Sequence, residues 1–176
     1  MPQWWFKDIS PAALTVDYGS SGHANLTYDS FLGAVKFTKG DQTVDVFEEG
    51  YGDAPVDTIE KGTVIELEAP FVRVKASDWY KLFPNKIDIQ SGDEFIWKNL
   101  VGYDYFANSR NLVIRPLVNN VVSTDPSEWF FFPHAHPYDD WDLPWDRETQ
   151  RVLMVKFKVH PIQSGTRKGH LFRRGV

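Results

Sequence analysis

The sequence predicts a mostly β chain of one domain, with one short helix and long loops. Three observations carry this. Apolar and polar residues alternate at period two in Thr63–Lys75 and Arg151–His160, the spacing that turns one face of a strand to a core and the other to water. The aromatic content is 15%, with seven Trp, seven Tyr and thirteen Phe, rings that favour strands and interfaces. Only Ser77–Phe83 shows a helical stripe. At 176 residues the chain suits a single domain, 1–176, with enough apolar content to bury a core.

Residues 1–13 read as an N-terminal arm. Trp4, Trp5 and Phe6 lie among polar residues between Pro2 and Pro11, and adjacent tryptophans call for a surface to dock on. Leu14–Tyr18 is a short strand, and Gly19–Asn25 is a turn cluster. Gly33–Thr38 and Thr43–Glu48 read as a hairpin joined by Lys39-Gly40-Asp41-Gln42. Glu48–Gly62, with three glycines and a proline, reads as a long loop. Thr63–Lys75 follows as two β pieces hinged at Pro70. Ile65, Leu67 and Ala69 share one face there, with Glu66 and Glu68 opposite.

Ser77 or Asp78 caps the helix, Trp79, Leu82 and Phe83 form its apolar stripe, and Pro84 stops it. Glu94–Lys98 is a further strand and Leu100–Arg110 a turn-rich aromatic stretch. Asn111–Val118 and Glu128–Phe132 are strands, with Pro116 at an edge or bulge. Pro133–Gln150 is a long excursion. Arg151–His160 is the best-patterned strand, and 161–176 is a C-terminal arm.

The net charge of −5 conceals two blocks. Asp41–Glu68 holds nine acidic residues against Lys61, and Arg151–Val176 holds seven basic residues and no acid. The blocks are either two solvated faces or the halves of a head-to-tail contact between copies, of the kind that closes rings or extends filaments. Overall acidity argues against tight nucleic-acid binding. With no cysteine there is neither a disulfide framework nor a thiolate metal site. The first residues carry no secretory pattern, and no run approaches the roughly 20 apolar residues of a membrane helix.

No constellation points to catalysis. His134-Ala-His136 followed by Asp139 and Asp140 has a metal-like spacing. Prolines bracket the pair, however, and no distant histidine completes a set, so they are not read as ligands. Asp139, Asp140, Asp142 and Asp146 among Trp141 and Trp145 could line a sugar cleft, but four acids on one loop do not make the opposed pair that glycoside cleavage needs. A nucleophile elbow, a phosphate loop and a dinucleotide fingerprint are all lacking. The expectation is a non-enzyme without a cofactor.

Gly33-Ala-Val-Lys-Phe, the acidic loop with Gly52-Asp-Ala-Pro-Val-Asp, and Lys61-Gly-Thr-Val-Ile-Glu-Leu-Glu resemble the first half of a bacteriophage major tail tube protein. Arg110-Asn-Leu-Val-Ile-Arg-Pro-Leu, Arg151-Val-Leu-Met-Val-Lys-Phe-Lys-Val-His-Pro and Phe172-Arg-Arg-Gly resemble its second half. The likeness spans roughly residues 30–176. It implies an antiparallel β-sandwich or barrel with one flanking helix, forming hexameric rings that stack into a tube. DNA would pass through the lumen without specific binding, other tail proteins would be partners, and no membrane would be involved.

The resemblance places the protein in the virion tail, made in the host cytoplasm. It makes Glu66 and Glu68 the candidates for an acidic lumen wall. Trp4, Trp5, Phe6, Glu48, Glu49, Asp53, Asp57, Arg167, Lys168, Arg173 and Arg174 become the candidates for contacts between subunits. The Pro133–Asp146 excursion is unusual for the family. The alternatives are another ring component of the tail (terminator, tube initiator or baseplate protein), a small carbohydrate-binding β-sandwich using Trp141 and Trp145, and a cupin-like metal protein.

Overall fold

Period-two alternation becomes a single curled antiparallel sheet, a half-barrel closed on one side by a short helix. A computed structural model describes residues 12–16, 26–28, 35–49, 53–71, 76–83, 85–89, 95–119, 121–138 and 153–175. The elements are β1 (Ala12–Val16), β2 (Leu26–Tyr28), β3 (Lys36–Val46), β4 (Asp57–Phe71), α1 (Ala76–Leu82), β5 (Ile87–Ile89) and β6 (Phe95–Trp97). There follow β7 (Arg110–Val118), β8 (Val121–Val122), β9 (Phe130–Tyr138), β10 (Leu153–Val159) and β11 (Arg173–Arg174). Among the described residues the main sheet runs β2-β1-β7-β9-β10-β4-β3, with β8 on β7 and β11 on β9, while β5 and β6 form a separate pair.

The concave face is the core. Leu14 and Val16 of β1, Ile65, Leu67 and Phe71 of β4, Leu112, Phe132, and Val155 and Phe157 of β10 meet Trp79, Leu82 and Phe83. Seven residues of helix are too few to persist alone. α1 is held by Trp79 stacking 5.8 Å from Phe83 and by Phe83 standing edge-on to Trp97 at 5.0 Å. The curl shows in Phe37. It belongs to edge strand β3, yet its ring lies 5.8 Å from Phe132 on β9, across the span of β4 and β10.

The structure corrects several expectations. Gly33–Thr38 and Thr43–Glu48 do not form a hairpin: Lys36–Val46 is one strand, and its partner is β4. Gly40 stays extended because it lies mid-ladder opposite Val64, and the Lys39–Asp41 ion pair at 2.7 Å sits on the strand rather than in a turn. The loop is correspondingly shorter than Glu48–Gly62, since β4 already begins at Asp57.

Pro70 is no hinge. It lies within β4, pairs with Met154 on β10, and stands beyond the last β3 pair, Lys36↔Glu68. Phe130–Tyr138 is one strand through Pro133 and Pro137, so the excursion starts later than Pro133. Pro133 sits where the β7–β9 register shifts, and Pro137 pairs with Phe157 beyond the last β7 partner, Arg110↔Ala135. Pro116 is inside the sheet, paired with Ala12 of β1, rather than at an edge or bulge. It lies where β7 passes from β9 to β8, and its carbonyl accepts from Ser123 N at 2.8 Å.

The C-terminal stretch is not a free arm. Gly169 N donates to Ile162 O at 2.8 Å, Phe172 stands 5.5 Å from Phe37, and β11 pairs with β9. Val72–Lys75, the residues of the N-terminal arm before Ala12, and the loop residues Asp139, Asp140, Trp141, Asp142, Trp145 and Asp146 lie outside the described residues.

Candidate assembly surface

Three features converge on the exposed side of the β10-β4-β3 end of the sheet. The first is a projecting arm. β10 pairs with β4 only from Lys158↔Glu66 to Leu153↔Phe71, whereas β3 follows β4 from Lys36↔Glu68 to Val46↔Asp57. Beyond Glu66 the two strands continue as a ribbon. Its register shifts between Gln42 and Thr43, which leaves Lys61 as the extra residue.

One face of the ribbon is polar and internally bonded. Thr63 Oγ1 donates to Asp41 at 2.7 Å and is 2.9 Å from Glu60, and Thr58 Oγ1 donates to Asp45 at 2.9 Å. The Lys39 ammonium, and then the Thr63 hydroxyl, hold the Asp41 carboxyl below the usual carboxylate range. The other face carries an apolar pair beside Val46 and Asp57. Val44 opposes Ile59, 37% and 55% exposed, and the ribbon ends in Phe47 and Val56, 60% and 42% exposed. A two-stranded ribbon is marginal by itself in water, and contiguous exposed apolar side chains mark a contact surface.

The second feature is a margin that is open among the described residues. β3 and β2 are the outermost strands of the main path. An outer strand presents a row of backbone donors and acceptors able to pair with another chain.

The third feature is a banded charged face. Antiparallel register lines up Lys36, Glu68, Lys156 and Tyr138 in one row and Thr38, Glu66, Lys158 and His136 in the next. Glu66 and Glu68 do leave the core face, as their alternation with Ile65 and Leu67 requires, but lysines flank them. The expected acidic wall is therefore a charge-balanced one at this place. Lys36 Nζ is 3.6 Å from Glu68, with side-chain exposures of 66% and 31%. Solvent screens such a pair, so Glu68→Gln is expected to shift stability by no more than about 1 kcal/mol, as read by urea denaturation.

Next to these rows an open cleft of about 320 Å³ is lined by Tyr105, His136, Tyr138, Lys158 and His160. Among the described residues no three His, Cys, Asp or Glu side chains converge to hold a metal.

The sequence-derived contact residues fall into distinct settings. Glu48, Glu49, Asp53 and Asp57 are exposed at the end of the ribbon, and Arg167 and Lys168 are exposed on a turn. Arg173 and Arg174 are engaged within the chain, stacked over Phe131 at 4.6 Å and Phe130 at 5.4 Å. The aromatic-rich β9 offers those ring faces, so the cations dock at home. Trp4, Trp5 and Phe6 lie outside the described residues. Sequence reasoning missed the apolar pair on the ribbon, whose signal was Val44 and Val46 on one strand and Ile59 on the other.

Searches against models of protein families and against curated proteins return no match for this chain.

Proposed function

We propose that this chain is a structural subunit of a phage tail tube, assembling as rings that stack into a conduit for DNA. The observation that carries the reading is the β3–β4 ribbon: a long, exposed projection carrying an apolar pair, continuous with the open margin of a curled sheet. Pairing of margins between copies satisfies the backbone groups of the outer strands. Insertion of the ribbon against a neighbouring copy covers Val44, Ile59, Phe47 and Val56. Hexameric closure, other tail proteins as partners and a place in the virion follow from the family resemblance.

If the banded face lines the lumen, DNA slides past alternating ammonium and carboxylate groups. Such a wall releases few counterions and so binds the phosphate backbone weakly. Negative-stain electron microscopy of concentrated protein is expected to show rings or tubes. A strictly monomeric protein with no rings at high concentration overturns the reading, and rings that never stack favour a terminator, initiator or baseplate component instead.

A further inference from the structure

The segment Val101–Ser109 crosses the sheet near β9, and the side-chain contacts that fasten it to the sheet converge on histidines. Ser109 Oγ lies 3.0 Å from His134 Nδ1, and the Tyr103 hydroxyl lies 3.0 Å from His136 Nε2. The Tyr105 ring stands edge-on to His136 at 4.9 Å. Phe106 covers the other two imidazoles, 4.7 Å from His134 and 6.2 Å from His160. A backbone bond from His160 N to His134 O, 2.8 Å, holds that pair side by side. His136 is only 1% exposed, and Nε2 of His160 is buried with no hydrogen-bond partner among the described residues. At its tip the segment presents Val101, 99% exposed.

We propose that His134, His136 and His160 form an acid-sensitive clamp that holds the Val101–Ser109 segment on the sheet at neutral pH and releases it in mild acid. The charges around the clamp favour neutral imidazoles. Lys158 lies beside His136 on β10, and buried Lys86 faces the segment from its other side, 5.0 Å from the Tyr103 ring and 5.1 Å from the Tyr105 ring. Tyr138 also lines the cleft. Among the described residues Asp104 is the opposing charge, and its pull on His160 is weaker than the effects acting against the charged form. Burial lowers both His134 and His160 below the usual histidine range, and Lys158 and His134 lower His160 further. One ring face, Phe106, favours a nearby imidazolium. It does not relieve the repulsion of two imidazoliums beside Lys158.

The sign follows from the lowered values. The released segment exposes histidines that bind protons more readily than the clamped ones. The clamp is therefore fully effective above about pH 6.5 and weakens as pH falls through the values of the clamped state. The inference is independent of the assembly role.

Hydrogen exchange of the full chain, followed by mass spectrometry from pH 7.5 to 5 and corrected for intrinsic rates, tests it. Amides of Asn108 and Ser109, bonded to Asp104 O and Phe106 O, are expected to lose protection by up to about tenfold per pH unit for each histidine that takes up a proton. Amides of β4 and β10 keep theirs. In the His134→Gln/His160→Gln variant the pH dependence of the segment is expected to flatten. Unchanged protection across this range, loss of protection by β4 and β10 at the same pH, or an undiminished pH dependence in the variant would each overturn the clamp. If the variant does not fold, imidazole titration of the parent chain by NMR decides. His134 and His160 titrating below about 6.5 supports the clamp, and titration at or above that value refutes it.

Discussion

A chain carrying Val44→Thr and Ile59→Lys is expected to fold normally and to lose ring and tube formation. Both side chains are exposed in the single chain, and threonine keeps the strand preference of valine. The change in monomer stability is therefore expected within about 0.5 kcal/mol for each exposed site. The proposed ring would bury both side chains. Loss of about 1.5–3 kcal/mol for each apolar side chain left uncovered, and the cost of burying a new ammonium, weaken each contact by at least about a hundredfold. Sedimentation velocity and electron microscopy measure the loss, and circular dichroism checks the fold. Assembly equal to that of the parent chain would show that the ribbon is not the contact.

The second large effect concerns the core. Phe157→Ala is expected to destabilise the monomer by about 3–5 kcal/mol, a large share of the roughly 5–15 kcal/mol that holds an ordinary domain together. Phe157 is 2% exposed, pairs with Leu67 and Pro137 in register, and belongs to the cluster that also holds the helix. Its strand neighbour offers the control. Met154 is 39% exposed on the opposite face, so Met154→Ala is expected to cost no more than about 1 kcal/mol. Urea denaturation of the two variants side by side distinguishes them. Comparable losses would mean that the two faces of β10 are wrongly assigned.

The sequence was most legible where one face of an element is buried. β10 follows from Val155, Phe157 and Val159 alternating with lysines. The helix follows from its stripe and Pro84, and the observed Ala76–Leu82 differs from Ser77–Phe83 by one residue at each end, which puts Ser77 and Asp78 inside the first turn rather than at the cap. Legibility failed where neighbouring strands override local chemistry. Lys39-Gly40-Asp41-Gln42 has turn composition, yet β4 supplies a ladder partner at every position. Pro70, Pro133 and Pro137 look like breakers, yet each occupies a place where a neighbouring strand ends or shifts register. Strands of two or three residues such as β2, β8 and β11 carry too little pattern to be read alone.

Of the candidate surface, the acidic end of the ribbon and the outward turn of Glu66 and Glu68 were legible from charge and periodicity. The flanking lysines were not, because Lys36 and Lys156 come to lie beside Glu68 only through pairing with strands distant in the chain. The histidine cluster left a trace in the matching spacings of Tyr103 with Tyr105 and of His134 with His136. Their meeting depends on how the intervening chain folds.

β4 runs from the ribbon into the core, where Glu66–Glu68 pair with both β3 and β10 and the last residues, to Phe71, pair with β10. A tensile load on the tip directed along the strands is shared by the β3–β4 bonds in parallel, whereas a load across them opens the same bonds one after another. The projection is thus stiff lengthwise and yielding sideways, the mechanical anisotropy that a column needs if it is to bend without coming apart.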